Sequence, residues 1–190
     1  IWIAEKMHET NIGMTTRAIS MLEVLDGDHV LEIGHGNCGH LPFVLTQAHD
    51  VSYTGLEISE LMHQVAKKKR SDLVTSHHID FQLYDGDKIP FEENSFDKIF
   101  TVNTIYFWKH PKDFMREVFR VLKDNGVFTI CFVSQRFMEQ LAFVQDKFEL
   151  YDQNKVESIA NEVGFYVEKT ETIVESVESK LGDMVDREFI

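Results

Sequence analysis

The stretch VLEIGHGNCGHL, Val30 to Leu41, decides the fold. Val30, Leu31, Glu32 and Ile33 read as a short buried strand. Gly34, Gly36 and Gly39 follow in G-x-G-x-x-G spacing. Gly34 and Gly36 let the chain turn tightly and let a ligand touch the backbone, and Gly39 lets the next helix approach the sheet. That helix offers free N–H groups at its N-terminus. The spacing alone is a weak signal. Glu57, at the end of the next strand, strengthens it, because a carboxylate there can accept the hydroxyl protons of a ribose.

Outward from this stretch, strand and helix patterns alternate. Thr15 to Leu25 predicts an amphipathic helix with Ile19, Leu22 and Leu25 on one side, ended by Asp26-Gly27-Asp28. Strands are expected at His29–Ile33, Val51–Glu57, Ile79–Tyr84, Phe96–Val102 and Val127–Val133. The last of these is apolar almost throughout, as a central strand should be. Helices are expected from about Gly39 to Ala48, after an N-cap at Ser59, and over Pro111–Leu122, Gln135–Phe148 and Asn154–Val163. Asn125-Gly126 is a strong turn pair after the third of these. Phe165–Val174 and Asp186–Ile190 read as two final strands. No repeat or linker interrupts the pattern. It predicts one α/β domain over residues 1–190, with a mostly parallel sheet.

The 190 residues suffice for one full core, and 43% hydrophobic with 27% charged residues is a globular composition. No apolar run reaches the ~18 residues of a membrane span, and no signal-peptide pattern is seen. The sequence starts at Ile1 without an initiator Met and reads as trimmed. A net charge of −13 repels phosphate backbones and argues against nucleic acid as a partner. Cys38 and Cys131 form no disulfide framework, which fits a reducing, cytoplasmic setting.

Two features separate an adenosyl ligand from a dinucleotide. Glu32, beside the glycines, would repel a pyrophosphate but suits an ammonium and a sulfonium. Asp85-Gly86, after the third strand, can read an adenine edge, the carboxylate taking the amino group's hydrogen bond. Glu32-Ile33-Gly34-His35-Gly36-Asn37-Cys38-Gly39, Glu57, and Asp85-Gly86 followed by IPFEENSFD together resemble the class I S-adenosylmethionine-dependent methyltransferases, in their small-molecule branch. The similarity spans about Val30 to Phe132, and Val163-Gly164-Phe165 resembles the family's "GF" before its last strands.

The resemblance implies a Rossmann-like, doubly wound sheet of seven strands, mostly parallel with the last antiparallel, and helices on both faces. It implies S-adenosyl-L-methionine as cofactor and S-adenosyl-L-homocysteine as product. Gly34, His35, Gly36 and Gly39 would line the methionine part, with Glu32 acting in the loop. Glu57 would hold the ribose, Ile58 would pack on adenine, and Asp85 and Gly86 would read its edge. Residues from Asn103 onward would face the reacting methyl group. The acceptor would be a small molecule, with Tyr106 as the candidate to orient or deprotonate it and Phe107 and Trp108 as pocket walls.

Within residues 1–28, the segment Met7–Thr15 either folds over the cofactor as a lid through Asn11, Met14 and Thr15, as in similar enzymes, or forms an irregular lead-in to the first helix. Residues 134–151, apolar on one face through Phe137, Leu141 and Phe148, read either as an acceptor-side insert or as a stripe of plain core packing. No metal is expected, because His35, Cys38 and His40 lack zinc spacing. Lys67–Arg70 ends a helix, where cations complement its dipole. A nicotinamide-dependent oxidoreductase and a non-catalytic adenosyl-binding module are the alternatives.

Overall fold

The computed structural model describes residues 2–141, 149–178 and 182–190. Five parallel strands form the sheet: β1 (His29–Ile33), β2 (Ser52–Glu57), β3 (Ile79–Leu83), β4 (Phe96–Val102) and β5 (Leu122–Cys131). Their order is β3-β2-β1-β4-β5. The order reverses between β2 and β4, on either side of β1, so a crevice opens beyond the carboxyl end of β1, where the glycines lie.

Alternate residues of each strand feed two cores. Leu31, Ile33, Leu56 and Ile99 pack against α5 (Pro111–Val121) and α7 (Gln153–Val163). Val30, Tyr53, Phe81 and Phe100 pack against α2 (Leu41–Leu45), Ala66 of α3 (Glu60–Lys69) and the end of α1 (Trp2–Met21). This period of two on strands covered on both faces makes the sheet doubly wound. Ser59 caps α3 as its sequence position suggests, its hydroxyl accepting from Met62 N at 3.4 Å. The short helices α4 (Ser71–Ser76) and α6 (Gln135–Met138) complete the connections.

Several expectations are corrected. The sheet is not seven-stranded: β6 (Ile173–Glu178) and β7 (Met184–Phe189) form a separate antiparallel pair. They adjoin the end of β5, where Ile190 exchanges two 2.9 Å backbone bonds with Phe132 and Ser134 N donates to Glu188 O at 3.0 Å. In consequence β5, apolar enough for a central position, is an edge strand, and a cavity of about 440 Å³ lies along it, walled opposite by the segment from Phe165 to Glu171. Phe165 begins no strand; it stacks edge-on against Phe119 with ring centroids 5.0 Å apart. The first helix starts well before Thr15 and stops at Met21, leaving Leu25 65% exposed. The α2 helix is only five residues long. Asn125-Gly126 does not end α5. It makes a bulge inside β5, where Phe96 pairs with Leu122 but Lys98 with Val127. Asn125 is left-handed there, and a Cβ on Gly126 would lie 2.9 Å from Asp97 O. The Gln135 helix ends at Met138, and Phe148 lies outside the described residues.

The N-terminal helix is tied by an ion pair to the segment that leads into β6. Arg17 Nε donates to Glu171 at 2.8 Å, and Lys169 lies 2.8 Å from the other carboxylate oxygen. The hydrogen bonds from Arg17 and Lys169 hold the Glu171 carboxyl down at about 2, against 4.5 ordinarily. A depressed carboxyl contributes its stability in full above its unfolded value and loses it as pH falls toward the folded one. Between about pH 5 and about pH 3 the wild-type protein is therefore expected to lose more stability than Glu171→Gln. Urea unfolding at both values checks this; equal losses would mean the pair does not contribute.

Candidate active site

The crevice is lined by a loop in which left-handed residues recur. Gly34, Gly36 and Cys38 have φ of +80°, +55° and +52°. Gly34 N donates to Leu56 O at 2.8 Å, and a Cβ on Gly34 would stand 2.5 Å from Thr104 Cγ2. Only glycine fits there. Asn37 Oδ1 accepts from Gly39 N at 2.9 Å. From outside, Arg70 donates through Nε to Cys38 O at 2.9 Å and through Nη2 to Gly39 O at 2.5 Å.

At the end of β2, Glu57 gathers three backbone donors. Its Oε2 accepts from Gly36 N at 2.9 Å; its Oε1 accepts from Ile58 N at 2.9 Å and Ser59 N at 3.0 Å. The glycine loop and the start of α3 thus meet on one carboxylate. Ile58 is 59% exposed and borders Gly86, whose absent Cβ would lie 3.3 Å from Ile58 Cγ2. Asp85 Oδ1 accepts from Lys88 N and Asp87 N, both at 2.9 Å, and these bonds hold its carboxyl below the usual range. Gly36, Glu57, Ile58 and Gly86, far apart in sequence, thus come together beyond the carboxyl ends of β1, β2 and β3.

Glu32 faces away from this crevice, into a buried network. Its Oε2 accepts from His40 Nε2 at 2.7 Å and from the Tyr53 hydroxyl. Burial alone would raise the Glu32 carboxyl, but the charge and hydrogen bond of His40, with the Tyr53 bond, hold it low. Tyr53 has one hydrogen and gives it to Glu32, so the 3.3 Å contact with Cys38 Sγ is donated by the thiol. Burial pushes both the Cys38 thiol and the Tyr53 hydroxyl well up, and both keep their protons. Gly55, opposite Glu32 in register, makes the room: a Cβ there would lie 2.7 Å from His35 Cδ2 and 3.1 Å from Tyr53 Oη. His35 is itself buried, its Nδ1 bonded to Gly36 O at 2.9 Å. Cys38 and His40 do meet a third donor, but it is Glu32 and not His35; the three ligand atoms lie within 4.8 Å of one another, joined directly or through Tyr53 by hydrogen bonds.

Beyond β4, Asn103 adopts φ +58° and its side chain turns inward, accepting from Val133 N at 3.2 Å and donating to Met14 Sδ at 3.5 Å. That contact brings α1 over the end of β4. Met14 is fully buried, and Asn11 Oδ1 accepts from Arg187 Nη1 at 3.0 Å. Tyr106 donates to Val133 O at 2.7 Å, and burial pushes its hydroxyl up. It keeps its proton and anchors this loop. Trp108 is buried against Phe114, whereas Phe107 is 63% exposed. Of the IPFEENSFD run, Ile89 O and Phe91 O are held by Arg120 at 2.9 and 2.7 Å, a structural task.

A profile described as "Methyltransferase domain" matches residues 31–130, from the first strand to the fifth. The chain belongs to the class I S-adenosylmethionine-dependent methyltransferase family. It is 28% identical over 125 residues to the phthiotriol/phenolphthiotriol dimycocerosates methyltransferase of Mycobacterium tuberculosis, covering 66% of this chain and 44% of that one. It is 28% identical over 120 residues to the 27-O-demethylrifamycin SV methyltransferase of Amycolatopsis mediterranei, covering 63% and 44%. The chain thus spans less than half the length of these relatives. In fold it is similar to a SAM-dependent methyltransferase from Aquifex aeolicus, with a TM-score of 0.67, 20% identity, and 98% and 95% coverage. No helix among the described residues is long and apolar enough to cross a membrane.

Reasoning from sequence missed Arg70, His40, Tyr53 and Thr104 in this methyltransferase domain. Arg70 reads locally as the cationic end of a helix, and nothing near it in sequence marks its grip on a loop 31 residues away. Tyr53 had a signal: a polar tip in a strand whose next same-face position is Gly55.

Proposed function

We propose that this chain carries the cofactor-binding core of an S-adenosylmethionine-dependent methyltransferase acting on a small-molecule acceptor. The observation that carries the reading is the meeting of the glycine loop with the β2 carboxylate, Gly36 N to Glu57 Oε2 at 2.9 Å, beside the Ile58–Gly86 contact. This donor set fits the cofactor. Oxygens at the end of β2 suit ribose hydroxyls, an exposed apolar side chain suits adenine, and Asp85-Gly86 suits its edge. Bound there, S-adenosylmethionine supplies a methyl group already activated on a sulfonium.

The protein's contribution is alignment and exclusion of water. Gly34, Gly36 and Gly39 would hold the methionine part, and Glu57, Ile58, Asp85 and Gly86 the adenosine part. Asn103 shapes the turn beyond β4 and draws Met14 of α1 over it. The α1 helix thereby acts as a lid within the N-terminal segment. Tyr106, with its hydroxyl committed to Val133 O, orients the acceptor wall and takes no proton. The relatives named for compounds such as a demethylrifamycin support a small acceptor, and the net charge of −13 argues against nucleic acid. A cytoplasmic site of action accords with two unpaired cysteines.

Calorimetric titration with S-adenosylmethionine, S-adenosylhomocysteine and NAD, in parallel, tests the reading. Binding of the first two and not the third is expected. NAD binding with neither adenosyl ligand bound would replace it with an oxidoreductase. Transfer of labelled methyl to a panel of small acceptors then separates an enzyme from a silent binding module.

A further inference from the structure

The glycine loop has two feet, and the buried network joins them. Glu32 stands one residue from the end of β1, and His40 immediately precedes α2. Their 2.7 Å contact closes the chain into a ring around Gly34–Gly39. The Glu32 carboxyl is held ionised, so His40 Nε2 carries the shared hydrogen. The side chains are only 5% and 4% exposed, so water does not compete for the bond. The loop between the feet needs such a tie. It holds three left-handed residues, one of them Cys38, which has a Cβ. The helix beyond it has only five residues, with Leu41 and Val44 buried and Phe43 and Leu45 partly buried against the core.

We propose that His40 is a positioning residue of the cofactor site: through Glu32 it fixes the spacing of the loop's two feet, and so the aim of the loop's backbone N–H groups at the ligand. The inference rests on the function proposed above. The acid of the glycine motif then acts on the loop from beneath, not on the ligand directly. Tyr53 donates to the same Glu32 Oε2, and the Cys38 thiol donates in turn to the Tyr53 hydroxyl.

The test is calorimetric titration of the full chain with S-adenosylhomocysteine, alongside thermal melts, for wild type, His40→Leu, His40→Gln, Glu32→Gln and the double variant His40→Leu/Glu32→Gln. His40→Leu keeps the bulk and loses the donor; about tenfold weaker binding is expected. His40→Gln, which can donate to the same oxygen, is expected to recover most of it. In the double variant the loss should stay near that of one single variant rather than multiply. If His40→Leu does not fold, His40→Asn replaces it, its donor being one methylene too short. Unchanged binding in the leucine or asparagine variant, multiplying losses, or no recovery with Gln would overturn the proposal while leaving the methyltransferase reading intact. One equivalent of metal in the purified protein, lost in Cys38→Ala, would also overturn it, since an ion and not a hydrogen bond would then join the feet. Failure of the wild-type protein to bind any adenosyl ligand would reject both.

Discussion

Glu57→Ala is expected to weaken S-adenosylhomocysteine binding by about a hundredfold or more. The carboxylate orders three backbone donors, Gly36 N, Ile58 N and Ser59 N, drawn from both walls of the crevice. Hydrogen bonds to a charged group contribute about 1.5–3 kcal/mol each. Losing them releases the loop and the start of α3, and it removes the proposed acceptor for the ribose. Glu57→Gln should fall between the two, since it keeps an acceptor oxygen but points an N–H₂ group at backbone donors. Titration calorimetry on the folded variants measures this, with circular dichroism as the control. Binding within about threefold of wild type would show that the adenosine part is held elsewhere.

Gly34→Ala is expected to destabilise the fold itself by about 3–4 kcal/mol. A left-handed conformation costs an alanine about 1–2 kcal/mol, and at φ +80° that penalty applies in full. The added Cβ would also stand 2.5 Å from the Thr104 methyl. Thr104 cannot swing away freely, because its hydroxyl is 2.5 Å from that of Thr101, which in turn donates to Ile33 O at 2.7 Å. For a chain of this size the loss is about 10 °C in melting temperature. The two causes separate in Gly34→Ala/Thr104→Ser, which removes the clashing methyl and keeps the hydroxyl. About half of the loss should return, leaving the backbone term. Full recovery would mean that conformation contributes nothing; no recovery would mean that the Thr104 contact is harmless.

Much of the crevice proposed for the cofactor was legible in the chain because its signals are local. A glycine with no Cβ, a carboxylate at a strand end and an Asp-Gly turn depend on their neighbours in sequence, and a parallel sheet collects all three at one end. The α1 helix was only partly legible, since the polar run His8–Asn11 interrupts its apolar pattern, and docking through Met14 and Arg17 fixes its place. Of the two final strands, Asp186–Ile190 falls on β7, whereas Phe165–Val174 was misplaced, since β6 begins only at Ile173. The pattern of Phe165 suits a strand, but pairing needs a free neighbour. Phe165 instead meets Phe119 and Phe128.

By itself, the sequence determined the α/β alternation, the glycine loop after β1 and the residue types of the site proposed for an adenosyl ligand. These follow from steric freedom and hydrophobic period, which act over a few residues. Tertiary structure alone decided that Arg70 grips the loop, that Glu32 turns to His40 and Tyr53, and that Tyr106 gives its hydrogen to Val133. A polar side chain buried in a core must find a partner. Which partner it finds depends on chain segments that only folding brings within 3 Å.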